Sequence, residues 1–563
     1  MLADELISKF SKYIAFAISF VTLFVIGSPV SDPVNITKFL VLGIFAVGAL
    51  GFLSFKTLNS LWSAERVFVT VLAVFTVSAF LSTILSESPI TQNLYGVTGR
   101  NTGFLTFFYF GLLSLAILTF NKVIHLKYYV FALIFAGVFN IFYGLWVRIF
   151  GDFMPWTNVY GALLGTFGNP DFAGAFIGFS LGVLLSYFFG CPNLKIKALL
   201  IVALLVGTIS LIDTKTVQGI LVAAITISIT VFFKIRSSFT KFKLHILFAI
   251  SIIAMGIVSL FGIFQRGPLE SFLYKRSVSL RGVYWDAAIN TGNNHVISGV
   301  GLDSFGDWYR EMRSVKAATW FPGEGVISNV AHNIYLDMYA SGGLPLLVTY
   351  LFLNLYAGYR LISLLRRMKE FDWIAVSLAS LFFGYEAQAL ISINQIGIGI
   401  WGWSVLSAIL VYERINRLDK TIVTTMKGKS SKASSQISKS IVLVPLFMLI
   451  GLFISLPPFA ADAKFTNAIN KQDLNLLEQS LNPGYFNPMN SDRLARAVII
   501  LGNSNLHEQA YKYAKVGVEF NPRYFDAWNV LYYAKLSTDS DRKLALENMK
   551  LLDPNNRKLE KLK

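Results

Sequence analysis

Apolar stretches long enough to cross a bilayer recur along the first 456 residues of this 563-residue chain, and no other feature constrains the fold as tightly. A hydrocarbon core about 30 Å thick needs about 20 helical residues, and without water every backbone polar group must be satisfied inside the spanning segment. Thirteen such stretches are legible, at about 12–27, 37–54, 67–85, 102–120, 127–150, 171–190, 195–212, 216–234, 243–263, 333–359, 371–392, 396–412 and 440–456. Composition agrees, with 54% of residues hydrophobic, only 14% charged and a mean hydropathy of +0.57. The expected fold is all-α and polytopic. The first stretch is followed by Gly27-Ser28-Pro29-Val30, with no small-x-small cleavage pattern, and reads as an uncleaved signal anchor.

Basic residues orient these spans. With the N-terminus in the cytoplasm, the cytoplasmic loops hold 23 Lys and Arg residues and the short outer loops three: Lys38, Arg100 and Lys215. Most of the net charge of +17 is therefore positive-inside bias and calls for no nucleic acid. This orientation puts two long segments outside the cytoplasm, a loop at about 264–331 and the tail from 457 onward. The single cysteine, Cys191, excludes an internal disulfide and a cysteine-based metal site.

Three regions follow: a membrane body over 1–456 with the outer loop 264–332 inside it, a basic cytoplasmic linker at 413–439, and a polar tail over 457–563. The linker includes Lys427-Gly428-Lys429-Ser430-Ser431, small and basic as suits a segment near anionic lipid. In the tail, Leu481-Asn482-Pro483, Phe520-Asn521-Pro522 and Leu552-Asp553-Pro554 recur at separations of 39 and 32. That spacing, with helix-pair patterns such as Ala510-Tyr511-x-x-Ala514 between the repeats, predicts two or three tetratricopeptide-like hairpins, which build concave binding surfaces.

The polar residues near the membrane surface carry the chemical argument. The outer loop holds seven Lys or Arg residues, including Arg266, Lys275, Arg276 and Arg281, and a helix-like pattern puts Arg281 and Trp285 on one face. A glycine-rich turn follows at 297–305, and the loop ends in Ala331-His332-Asn333-Ile334, where His332 stands at the mouth of a span with Asn333 and Asp337 one helical turn apart. Taken alone, each has a plain reading: a snorkelling arginine, or a polar cap at a helix start. Arg100 lies on the same outer side, and Arg148 sits near the outer end of the fifth span, where an arginine is costly unless paired or wetted. Asn169 and Asp171 open the sixth span as capping residues. Walker, zinc-protease and nucleophile-elbow motifs are lacking, and no carboxylate cluster on an outer loop suits a divalent cation, so a transfer reaction is expected to need no metal.

Gly168-Asn169-Pro170-Asp171-Phe172-Ala173-Gly174, Arg281-x-x-x-Trp285 with Gly299-Val300-Gly301, and His332-Asn333 closed by Gly343 resemble the O-antigen ligase and polymerase superfamily. Gly99-Arg100-x-x-Gly103 and the tail resemble its branch with a tetratricopeptide-like extension. The resemblance runs through nearly the whole chain. It implies a multi-pass, GT-C-like glycosyltransferase of the bacterial inner membrane that takes glycan from undecaprenyl diphosphate at the periplasmic face, with no cofactor. The implied acceptor is lipid A core, with a lipid-linked repeat unit or a protein hydroxyl as alternatives; a lipid-linked glycan transporter is the non-enzymatic alternative. The family's loop histidine maps onto His332 and its loop arginine onto Arg281 or Arg276. In the implied mechanism Arg100, Arg148 and Arg276 or Arg281 hold the diphosphate, His332 orients or deprotonates the acceptor, and Asn333, Asp337 and Asn169 support them. The tail is expected to dock an acceptor or a periplasmic protein partner, either a chain-length regulator or another copy of the chain.

Overall fold

The computed structural model describes residues 2–53, 61–238, 276–418 and 431–562, with isolated positions between 246 and 270. These residues fold as helices, and no strand occurs among them. Ten of the helices are long and apolar enough to cross a membrane, so the chain is an all-α polytopic membrane protein. The shorter apolar helix Phe104–Leu118 and the helix Trp373–Ala389 fill two further expected spans. The remaining one, 243–263, lies mostly outside the described residues, as do linker residues 419–430.

Two local devices set the frame for the polar residues. In the helix Pro170–Gly190, Gly174, Gly178 and Gly182 lie four apart against the helix Val217–Ser238. A Cβ at Gly178 would stand 2.9 Å from the Ala223 backbone nitrogen, and one at Gly182 would stand 2.4 Å from the Thr226 Cβ. Such close approach lets side-chain hydroxyls cross between helices: Thr226 donates to the Gly178 carbonyl at 2.8 Å and Thr230 to that of Gly182 at 3.0 Å. The starts of these two helices, with Asp171 and Gln218, are thereby held side by side.

The second device is a break in the helix Ile334–Arg367. Gly343 adopts φ +65°, and Pro345 follows it. The backbone groups freed by the break pair with the glycine-rich turn: Val300 donates to Ala340 at 3.0 Å, Gly301 to Ser341 at 3.0 Å and Leu344 to Val296 at 2.7 Å. Gly299, at φ +63°, packs so closely that a Cβ there would stand 2.2 Å from the Ser341 carbonyl carbon. No side chain fits this seam. The outer-loop helix Arg276–Asn294, the turn and the start of Ile334–Arg367 are thus clamped together.

The last long helix, Ser431–Lys471, continues through Pro457 and Pro458, beyond its apolar run. Five shorter helices follow, Leu474–Leu481, Ser491–Asn503, His507–Phe520, Phe525–Tyr533 and Asp539–Leu552. They enclose their own apolar core, with Leu494, Ala514, Trp528, Leu531 and Met549 buried. Each repeated Asn-Pro or Asp-Pro step falls just after a helix C-terminus, at Leu481, Phe520 and Leu552, where proline cannot continue the helix.

Candidate functional site

Asn333 caps the helix Ile334–Arg367, its side chain accepting from Tyr335 and Leu336 N–H at 3.0 and 3.1 Å. Its amide donates to the Leu390 carbonyl at 3.0 Å, fixing this helix start to a neighbouring span. Asp337 reaches back, and its carboxylate accepts from Ala331 N–H at 2.6 Å. Between these two anchors His332 is forced to φ +54°, a left-handed conformation unusual for a residue with a side chain. The turn projects its imidazole against the outer-loop helix. Tyr284 stacks on the ring at 5.5 Å between centroids and 28° between planes, and Trp285 Nε1 donates to the His332 carbonyl at 3.4 Å.

Arg281 projects from the same helix, on the face it shares with Trp285. It reaches Gln218 Oε1 at 3.4 Å and Asp171 Oδ2 at 3.8 Å, so the two helix starts set by the glycine seam both bear on it. Burial lowers the proton affinity of its guanidinium, and Asp171 opposes that effect.

Arg100 lies on the turn between Ile90–Tyr95 and Phe104–Leu118. Asp303 holds that turn, its Oδ2 accepting from Val97 N–H at 2.9 Å and Thr102 N–H at 3.1 Å. Asn35 donates to the Gly99 carbonyl at 2.8 Å and is itself held by Gln395 at 3.0 Å. Arg100, Asp303, Asp337, Asn329, Asn394 and Gln395 line a cavity of about 40 Å³.

The half-buried His332 responds to both arginines. Burial first, then the charges of Arg281 and Arg100, push its imidazole down to about 3, so the ring is uncharged with a free nitrogen lone pair at neutral pH. Burial drives the Asp303 carboxyl the other way, above the usual carboxylate range, against its backbone hydrogen bonds and the charge of Arg100. Asn35, Asp171, Gln218 and Asn333 all stand at the N-terminal ends of long helices, where partial positive charge gathers. Two arginines and several helix N-termini around a neutral imidazole make a site suited to an anion beside a group that accepts a proton.

Not every residue expected at a site is drawn in. Asn169 caps Pro170–Gly190, accepting from Asp171 N–H at 2.9 Å, and so acts one step removed, through Asp171. Arg148 ends the helix Val123–Phe150 and pairs with Asp213 at 2.5 Å, its side chain 55% exposed. No contact among the described residues joins it to His332, Arg100 or Arg281. Arg276 opens the outer-loop helix, but its side chain lies outside the described residues, as does Lys275 altogether. Conversely, Tyr284, Gln218 and Asn35 belong to the site although nothing in their sequence neighbourhood marks them. A hint was available only for Asp171, one residue past the Asn-Pro step, and for Asp303, within the glycine-rich turn.

No curated protein matches the chain. Residues 200–351 match the family model described as O-antigen ligase, and this segment contains Gln218, Arg281, Tyr284, Asp303, His332 and the Gly343 break. The chain is thus similar to the O-antigen ligase family through the segment that supplies most of its candidate site, Asn35, Arg100 and Asp171 being added from outside it.

Proposed function

We propose that the protein is an inverting glycosyltransferase that moves a glycan from undecaprenyl diphosphate to an acceptor hydroxyl at the periplasmic face of the bacterial inner membrane, with lipid A core as the acceptor. The family match supports glycan transfer, and the uncharged His332, subject to the charges of Arg281 and Arg100, carries the finer reading. The acceptor oxygen attacks the anomeric carbon of the donor sugar as the bond from that carbon to the diphosphate oxygen breaks. The diphosphate leaves with the electron pair, and the hydroxyl proton passes to a His332 ring nitrogen. Back-side attack inverts the anomeric centre.

In this reading Arg100 and Arg281 stabilise the charge that develops on the leaving diphosphate, with charge-assisted hydrogen bonds already in place before the bond breaks. The bound anion also offsets the two arginine charges that depress the imidazole, so donor binding raises the proton affinity of His332 at the moment a base is needed. Asn333 and Asp337 position the histidine without touching substrate, and Asp171 and Gln218 orient Arg281. Arg148, engaged by Asp213, is left out of the diphosphate site.

Reconstitution tests this. Purified protein in lipid is given an undecaprenyl-diphosphate glycan with lipid A core, with a second lipid-linked repeat unit or with a protein acceptor, and the product is weighed by mass spectrometry. Addition of the intact glycan to lipid A core is expected. Addition only to one of the others replaces the ligase reading with polymerase or protein oligosaccharyltransferase, and transfer to none of them refutes a transferase.

A further inference from the structure

The tail does not hang free of the membrane body. Asp553, within the last repeat motif, is buried against Arg313 of the outer loop at 2.8 and 2.9 Å, and Arg310 reaches the same carboxylate at 3.3 Å. The Arg523 guanidinium lies over the Trp308 ring at 3.2 Å and pairs with Glu311, and Asn521 donates to Asp307 at 3.0 Å. Between the docked surfaces a cleft of about 330 Å³ remains open, within the range of small-molecule sites, roughly 300–1,000 Å³. Asp303 and Asn329 line both this cleft and the small cavity at Arg100, so the cleft adjoins the candidate site.

Asp303 supplies the second observation. The residue is 8% exposed, and while its Oδ2 is held by two backbone amides, its Oδ1 is buried without a hydrogen-bond partner. A buried carboxylate oxygen left bare is costly, and a ligand hydroxyl in the cleft would complete it. The opposite wall, from the tail, presents Asn490, Ser491, Asp492, Tyr524 and Asp526. This lining is rich in acceptors, carries an aromatic ring, and is acidic apart from Arg310, which Asp526 and Asp553 already engage.

We propose that the cleft between outer loop and tail binds the acceptor, a glycan of neutral or amino sugars with no phosphate on the units it encloses, and that Asp303 accepts a hydrogen bond from a hydroxyl near the one that reacts. The inference rests on the transferase reading for the word acceptor, but the binding claim stands on the cleft itself. Sugar hydroxyls suit an acceptor-rich wall, a sugar ring packs on Tyr524, and a phosphate would meet the carboxylates of Asp303, Asp492 and Asp526.

The test is calorimetric titration of the full-length protein in nanodiscs, without donor, using a neutral tetrasaccharide of hexose and N-acetylhexosamine and the same tetrasaccharide bearing one phosphate. The neutral form is expected to bind, with Tyr524→Ala and Asp492→Asn each weakening it about tenfold, as loss of a ring contact or a charged hydrogen bond would. The phosphorylated form is expected to bind worse to wild type and better to Asp492→Arg, a gain that a misfolded variant cannot mimic. No binding of the neutral form, binding indifferent to these substitutions, or preference for the phosphorylated form overturns the proposal. Failure of glycan transfer in the reconstituted assay refutes the transferase reading alone, because the titration contains no donor.

Discussion

Replacing Asp553 with alanine should undock the tail, and the structure sets the scale of the effect. Both side chains of the Arg313–Asp553 pair are fully buried, and the carboxylate takes two hydrogen bonds from Arg313, one from Arg310 and one from Asn556. Removing it leaves the Arg313 charge buried, with the carbonyls of Glu324 and Val326 at 3.1 and 3.3 Å, a weaker contact to Gly323 and the Tyr309 ring at 6.0 Å as partners. Breaking one side of a buried ion pair costs about 3–5 kcal/mol, which is about 100-fold to 4,000-fold in the docking equilibrium. Hydrogen exchange on protein in nanodiscs reads this: the outer-loop helix Phe305–Met312 and the tail helix Asp539–Leu552 should exchange faster by a factor of that order, while the helix Pro170–Gly190 should not change. The double variant Asp553→Leu with Arg313→Met should recover most of the protection, because two apolar groups replace a desolvated pair at little net cost. Unchanged exchange in both helices of Asp553→Ala would refute the claim that this pair holds the tail to the loop.

Arg281→Lys should lower kcat/KM for transfer about 10-fold to 100-fold, since a point charge cannot meet Gln218, Asp171 and a diphosphate at once; wild-type activity would reduce the role of Arg281 to simple charge attraction. Arg148→Ala should leave transfer within about threefold of wild type, because an exposed ion pair is worth at most about 1 kcal/mol; a loss like that of Arg281→Lys would return Arg148 to the diphosphate site. Because the free His332 is depressed to about 3, the pH profile of kcat/KM should show no acidic limb from it near the ordinary histidine value of 6.5. The bound diphosphate raises the histidine, so a limb in kcat should lie at higher pH than any His332 limb in kcat/KM; the reverse order would contradict the electrostatic account.

The spans were legible because a bilayer demands long apolar runs, and helices fill the expected positions wherever residues are described. Their ends were not. The helix expected at 333–359 is Ile334–Arg367, and the one expected at 440–456 belongs to Ser431–Lys471, because helical hydrogen bonding continues past the residues that touch lipid. Within the site, the shared face of Arg281 and Trp285 and the position of Asn333 before an apolar run could be read locally. The contacts that assemble the site could not. Asp303 binds Val97 and Thr102 from more than 200 positions away, Arg281 meets Gln218 across 63, and Arg313 meets Asp553 across 240. Pairings of that kind leave no period in a sequence. The same applies to Arg148, whose cost near the membrane suggested a functional partner where the fold supplies Asp213.

The most direct measurement is single-turnover glycan transfer from undecaprenyl diphosphate to the acceptor by wild type and His332→Ala, with donor binding followed in parallel. The account predicts product from wild type, transfer slowed about 100-fold to 10,000-fold in the variant as expected for loss of a general base, and donor binding retained through Arg100 and Arg281. Transfer by His332→Ala at the wild-type rate, with the donor bound equally well, would contradict it.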